Sequence, residues 1–90
     1  MFVGLVVGTV VATRKSQALV GKKLLVVKPL NYPQEQCPSL VAVDTVGAGV
    51  GETVLVITGS GARTAVISQN APVDAAIVGI VDSMEIVEKG

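Results

Sequence analysis

The sequence predicts an all-β protein, a small five-stranded β-barrel with one short helix between the fourth and fifth strands. Valine (19) and isoleucine (5) make 24 of the 90 residues β-branched aliphatics, the class enriched in strands. Turn-forming residues divide the chain into five apolar stretches. Only one segment has helical spacing, whereas a doubly wound parallel sheet needs a crossover helix between strands. Closure into a barrel would remove the edge strands that so apolar a chain cannot safely expose.

The apolar stretches define the five predicted strands. These are residues 2–13, 22–30, 39–46, 52–58 and 75–87. In the first strand, Gly4 and Gly8 indicate a bend or bulge in a tightly curved sheet. The second is stopped by Pro29 and Pro33, because proline has no amide hydrogen for a sheet ladder. The third is almost continuously apolar, the fourth follows a glycine-rich run, and Gly79 indicates a bend in the fifth.

The remaining segments have turn, loop or helix chemistry. Connections are predicted over 14–21, 31–38 and 47–51, the last with the sequence Gly-Ala-Gly-Val-Gly. Ser60 can cap a helix over residues 61–68, in which alanine and valine recur at helical spacing. Pro72 follows this helix and helps to end it. The whole chain, 1–90, is predicted to be a single domain.

The length and cysteine count predict an oligomer. A 90-residue chain buries only roughly 60–65% of the surface that its unfolded form exposes, so it is marginal alone. Cys37 is the only cysteine and there is no histidine, which excludes an internal disulfide and a zinc site of thiolates and imidazoles. Several strands are apolar on both faces, and a barrel buries only one of them. A second copy of the chain is the simplest cover for the other.

The charge balance argues against several partner classes. Seven basic and seven acidic residues give a net charge of zero, which disfavours binding to nucleic acid or to an anionic membrane. Single-strand binders of the OB type also need aromatic platforms, and only Phe2 and Tyr32 are aromatic. The longest charge-free run, 1–13, is shorter than a spanning helix requires. A basic pair follows that run instead of preceding it, so we expect no signal peptide and a cytoplasmic protein.

Candidate reactive groups give little support for an enzyme or a cofactor site. The run 47–51 has the spacing G-x-G-x-G and joins two strands, whereas a phosphate loop needs a strand before it and a helix after it. The helix start at Ser60 and Arg63 could bind an anion, but a capped helix whose arginine pairs with a carboxylate is the favoured interpretation. Asp44, Asp74 and Asp82 lack a histidine or metal beside them, and Cys37 lacks an activating base. We therefore predict no catalytic residue, metal or cofactor.

Three motifs in order resemble the EutN/CcmL family of bacterial microcompartment vertex proteins. The first is Val-Asp-Thr-Val-Gly-Ala-Gly-Val-Gly-Glu at 43–52, and the second is Gly-Ser-Gly-Ala-Arg at 59–63. The third is Pro-Val-Asp-Ala-Ala-Ile-Val-Gly-Ile-Val-Asp at 72–82. The resemblance covers nearly the whole chain. It implies an OB-like barrel that forms homopentamers at the fivefold vertices of a polyhedral shell in the bacterial cytoplasm, next to hexameric shell proteins on the facets.

The resemblance also implies where contacts lie. It suggests a shell-docking loop made of Gly47, Ala48, Gly49, Val50, Gly51 and Glu52. Independently of the resemblance, the chemistry of the residues predicts structural or inter-subunit pairing at Ser60, Arg63, Asp74, Ile77 and Val78. In the docking loop, glycines would let a partner backbone approach closely, and Glu52 would offer a carboxylate to that partner. The alternative function is a small OB-like barrel that binds a ligand or nucleic acid.

Overall fold

In the computed structural model, residues 1–13, 17–30, 39–59 and 74–83 are described, and five strands form a closed barrel. The strands are β1 (Phe2–Val10), β2 (Lys23–Pro29), β3 (Leu40–Asp44), β4 (Thr53–Thr58) and β5 (Ala75–Ile80). A single 3-10 turn, Gln17–Leu19, lies between β1 and β2. The predicted all-β barrel is confirmed. The predicted helix over 61–68 lies outside the described residues.

The strands follow the order β1-β2-β3-β5-β4 around the barrel, and β4 closes on β1. All neighbours are antiparallel except β3 and β5, which run parallel and pair over only two positions, Val43 with Ala76 and Asp44 with Ile77. The end of β3 is joined to β5 by a further contact, since the Thr45 amide donates to the Ile77 carbonyl oxygen at 3.2 Å. This parallel seam is therefore short and is completed by the residue after β3.

The inward faces of the strands make one apolar core. Its buried members are Val6, Leu25, Val27, Ala42, Ala48, Val54, Val56, Ala75 and Ile77, with Phe2 and Leu40 packed against them. These positions alternate along β2 and β4, as expected for strands with one face toward a core. Valine is the most frequent of these nine buried residues, with four positions, and its branched side chain suits a pleated surface.

Two bulges bend the barrel beside glycines. Val7 is an extra residue in β1, because Val6 pairs with Val27 while Gly8 pairs with Val26. In β5, Val78 is extra relative to β4 and precedes Gly79. An extra residue increases the local twist and bends the strand, which helps a five-stranded sheet to close. The bend or bulge expected from the glycines is thus found in both strands.

The predicted strands are longer than the observed ones, and the physical reason is clearest in β5. The prediction extended this strand to residue 87, whereas the structure ends it at Ile80. The Val81 amide still donates to the Thr53 carbonyl oxygen at 2.8 Å, but Thr53 is where β4 begins. Beyond it, the chain before β4 bonds to β1 instead, so β5 has no partner to continue the ladder. Residues 84–87 lie outside the described part.

Candidate docking loop

The segment that joins β3 to β4, residues 45–52, contains the glycine loop, residues 47–52. Two of its glycines, Gly47 with φ 80° and Gly51 with φ 93°, have left-handed backbone conformations that other residues resist. The loop is bound to β1, because the Gly51 amide donates to the Val6 carbonyl oxygen at 2.8 Å. In return, the Val6 amide donates to the Glu52 carbonyl oxygen at 3.0 Å. The loop is therefore a fixed extension of the sheet.

The middle of the glycine loop faces inward. Ala48 is 0% exposed and belongs to the apolar core, so its methyl group is part of the barrel and does not lie on the outer surface of the protomer. Of the six residues predicted for docking, Ala48 therefore offers no exposed side chain, and the docking role of the loop stays a prediction. The positive φ at Gly47 lets the chain turn so that this side chain points into the barrel. What the loop exposes is Val50, at 60%, with Gly47 and Gly51.

The Glu52 carboxylate closes the loop from within. Its Oε1 accepts a hydrogen bond from the Gly49 amide at 2.7 Å, and its own amide donates to the Gly49 carbonyl oxygen at 3.2 Å. A charge-assisted bond of this kind is stronger than a neutral one. The sequence suggested that this carboxylate would be available to a partner. In the structure it is engaged by its own loop.

Side chains from β2 and β3 hold the start of the segment. Lys23 and Asp44 are direct partners in the β2–β3 ladder, and Lys23 Nζ lies 3.8 Å from Asp44 Oδ2. The same ammonium donates to the Ala48 carbonyl oxygen. Asp44 Oδ1 accepts from the Val46 amide at 3.0 Å, and Thr45 Oγ1 donates to the Ile77 carbonyl oxygen at 2.6 Å.

Sequence reasoning did not single out Lys23 or Thr45. The signal that could have found Lys23 is its position opposite Asp44, which becomes visible only once the strand register is known.

Comparison with known proteins identifies the family. The family model described as "Ethanolamine utilisation protein EutN/carboxysome" matches residues 1–82. The chain belongs to the EutN/CcmL family.

Named relatives of this EutN/CcmL chain are shell vertex proteins. The microcompartment shell vertex protein GrpN of Rhodospirillum rubrum is 49% identical over 90 residues, which cover 97% of this chain and 99% of GrpN. The carboxysome shell vertex protein CcmL of Thermosynechococcus vestitus is 45% identical over 85 residues, 93% of this chain and 86% of that protein. A solved structure of pentameric GrpN has a TM-score of 0.79 and 48% identity, and covers 98% of this chain and all of the other. The prediction of a structural shell vertex protein is confirmed by these relatives.

The structure places the other predicted contact residues in different parts of the protomer. Ile77 is 0% exposed inside the barrel, so its role is in the core of this EutN/CcmL protomer. Val78 is half-buried at the β5 bulge. Asp74 is exposed, and its carbonyl oxygen accepts from the Gly59 amide at 2.8 Å. Ser60 and Arg63 lie outside the described residues.

The described residues contain no further candidate site. Within 1–13, 17–30, 39–59 and 74–83, no three His, Cys, Asp or Glu side chains gather as a metal site would require. In the same part of the chain, no helix has the length and apolarity to span a membrane. Asp74 precedes β5 and Asp82 follows it, so this strand separates two of the three candidate acids.

Proposed function

We propose that five copies of this chain form a ring that closes a fivefold vertex of a bacterial microcompartment shell, and that the glycine loop contacts neighbouring hexameric shell proteins. The observation that carries the proposal is the match to shell vertex proteins over nearly the whole chain, 97% for GrpN. The ring is a structural part, not an enzyme, and resides in the cytoplasm. The zero net charge is consistent with a protein partner and not with nucleic acid or membrane.

The outer surface of the barrel supports self-association. On β2 and β3, Val26 and Val41 are direct partners on the outward face, and Val41 is 48% exposed. Val7, 44% exposed, lies one residue before the Gly8 that pairs with Val26. An apolar surface of this kind is typical of protein contacts. Because five is odd, a ring of this chain must use head-to-tail interfaces, which commonly bury on the order of 1,000–2,000 Å² each.

The barrel end that carries the glycine loop supports a second contact. The carboxyl ends of β1, β3 and β5 and the amino ends of β2 and β4 meet there. Several exposed apolar side chains share this end: Val11, Val20, Val46, Val50 and Ile80. The loop adds a surface of low relief with one valine flanked by glycines, which a partner can approach closely. A vertex must meet its neighbours at a fixed tilt, and a stiff, low turn suits that contact.

Light scattering after size exclusion tests the ring. We expect a single species at five times the 9.1 kDa of one chain. A folded wild-type monomer at micromolar concentration would contradict the proposed assembly.

A charge at the loop tip tests docking. Val50→Glu adds bulk and charge at a 60% exposed position and leaves all the loop glycines in place. We expect normal pentamers that fail to cap shells when co-expressed with the hexameric proteins, giving open or elongated assemblies. The matched control is Leu30→Glu, 41% exposed at the opposite barrel end, for which closed shells are expected. Closed shells with Val50→Glu would place the docking surface elsewhere.

A further inference from the structure

We propose that Lys23, Asp44 and Glu52 are positioning residues that hold the glycine loop in its docking conformation before any partner arrives. This inference rests on the docking function proposed above and concerns how the loop achieves it. Three loop-side backbone groups, at Val46, Ala48 and Gly49, are bound by these side chains and not by a strand partner.

The first set of restraining contacts, made by Asp44 and Lys23, lies where the chain enters the loop. The Asp44 side chain is 2% exposed, and its two oxygens are divided between the Val46 amide and the Lys23 ammonium. Binding of an aspartate oxygen to the amide two residues on fixes a turn. Lys23, whose side chain is 50% exposed, extends this hold to the Ala48 carbonyl, at the point where the chain turns into the core. One ammonium thus joins the end of β3 to the middle of the loop.

The second restraining contact, made by Glu52, lies where the chain leaves the loop. Glu52 Oε1 is 2.7 Å from the Gly49 nitrogen, and a Cβ at Gly49 would lie 3.5 Å from the same oxygen. The carboxylate therefore lies against the loop backbone. Together with the Gly51–Val6 bond, it restrains a stretch in which glycine alternates with other residues.

Restraint matters here because glycine has the largest conformational freedom of any residue. A loop with glycine at 47, 49 and 51 that was free before docking would have to be ordered during docking, which weakens binding. A loop that is already restrained at both ends loses less conformational entropy on docking. Removing one of the restraining contacts should weaken the affinity for hexameric proteins by about tenfold. This is the effect expected from losing one charge-assisted hydrogen bond and ordering a few residues.

The experiment compares Glu52→Ala with Glu52→Gln in the intact pentamer. Alanine removes the acceptor for the Gly49 amide, whereas glutamine keeps a carbonyl oxygen at the same reach. The probe is the immobilised hexameric shell protein encoded with this chain, and the second readout is hydrogen exchange at the amides of residues 46–51. We expect faster exchange and about tenfold weaker binding for Glu52→Ala, a smaller change in both for Glu52→Gln, whose neutral oxygen can still accept from the Gly49 amide, and pentamers in both cases.

Further variants distinguish a failure of the positioning role from a failure of the docking function. Lys23→Met keeps the apolar stem and removes the ammonium, and it should also weaken binding, so the inference remains testable if Glu52→Ala does not assemble. Wild-type affinity in both Glu52→Ala and Lys23→Met, with Val50→Glu still defective, would refute the positioning role and leave docking intact. Wild-type affinity in Val50→Glu as well would refute the docking function itself. Equal loss in Glu52→Gln and Glu52→Ala would also refute the positioning role, because it would assign the effect to charge.

Discussion

Among the glycines that the structure describes, Gly4 in β1 is the one where an added Cβ would overlap a neighbouring side chain. A Cβ built there would overlap Val27 Cγ1. It would also lie 3.2 Å from the Lys28 carbonyl oxygen and 3.3 Å from the Phe2 ring. Val27 is 0% exposed in the apolar core, so its side chain has no free space to move into. Gly4→Ala should therefore destabilise the protein.

The size of the effect follows from two opposing terms. Overpacking a well-filled core costs about 1–3 kcal/mol. Replacing glycine by alanine within a strand recovers roughly 0.5–1 kcal/mol of conformational entropy. The midpoints of these two ranges leave a net loss of about 1.3 kcal/mol, which for a domain of this size lowers the Tm by roughly 5–10 °C. Because oligomers melt at concentration-dependent temperatures, variants must be compared by calorimetry at one protein concentration.

Gly8→Ala is the matched control in the same strand. A Cβ at Gly8 would lie 3.8 Å from the Val26 side chain, an ordinary van der Waals distance. Its Tm should be unchanged or raised, since the stabilisation can reach about 1 kcal/mol. A second check is Val27→Ala, which should cost less in the Gly4→Ala background than alone, because it removes the overlapping carbon. If Gly4→Ala melted at or above the temperature of Gly8→Ala, the packing reasoning would be refuted.

Three further substitutions test the fold around the loop. Ile77→Ala should cost about 2–5 kcal/mol in urea unfolding because it leaves a cavity in the core. Thr45→Val should lose about 0.5–1.5 kcal/mol with the Oγ1 bond to the Ile77 carbonyl, while Thr45→Ser retains it; equal stability of the two would contradict that bond. Ala48→Glu should prevent folding and ring formation, since it places a carboxylate in the core; soluble pentamers with this change would show that Ala48 is not buried.

The central residues of each strand could be predicted from the sequence, but the residues at which the strands end could not. In β2 and β4, alternating apolar residues determine which face is buried, and that pattern is local. The end of a strand depends instead on where its neighbour ends. Nothing in the sequence after Ile80 indicates that the neighbouring strand β4 begins only at Thr53. Because β5 has no β4 residue to pair with beyond Thr53, that residue determines where β5 ends. Glycine marked both bulges correctly, because a bulge needs backbone freedom that the sequence itself displays.

The glycine loop shows which contacts cannot be predicted from sequence alone. An alanine between two glycines has no pattern that distinguishes a surface turn from a core contact, so the burial of Ala48 follows only from closure of the barrel. The use of Glu52 within its own loop is local, three residues from Gly49, and could have been considered from spacing alone. The Lys23 contact joins residues 25 positions apart and requires the β2–β3 register.

The loop thus contributes to both the fold and the proposed contact through alternate residues. Ala48 completes the core, while Val46 and Val50, two positions on either side, are 39% and 60% exposed. The positive φ angles at Gly47 and Gly51, on either side of residues 48–50, allow the chain to reverse there. A mutation that removes the inward residue therefore tests folding, and one at an outward residue tests contact. The resemblance of this segment to a family motif does not show which of the two roles a given residue has; its burial in the barrel does.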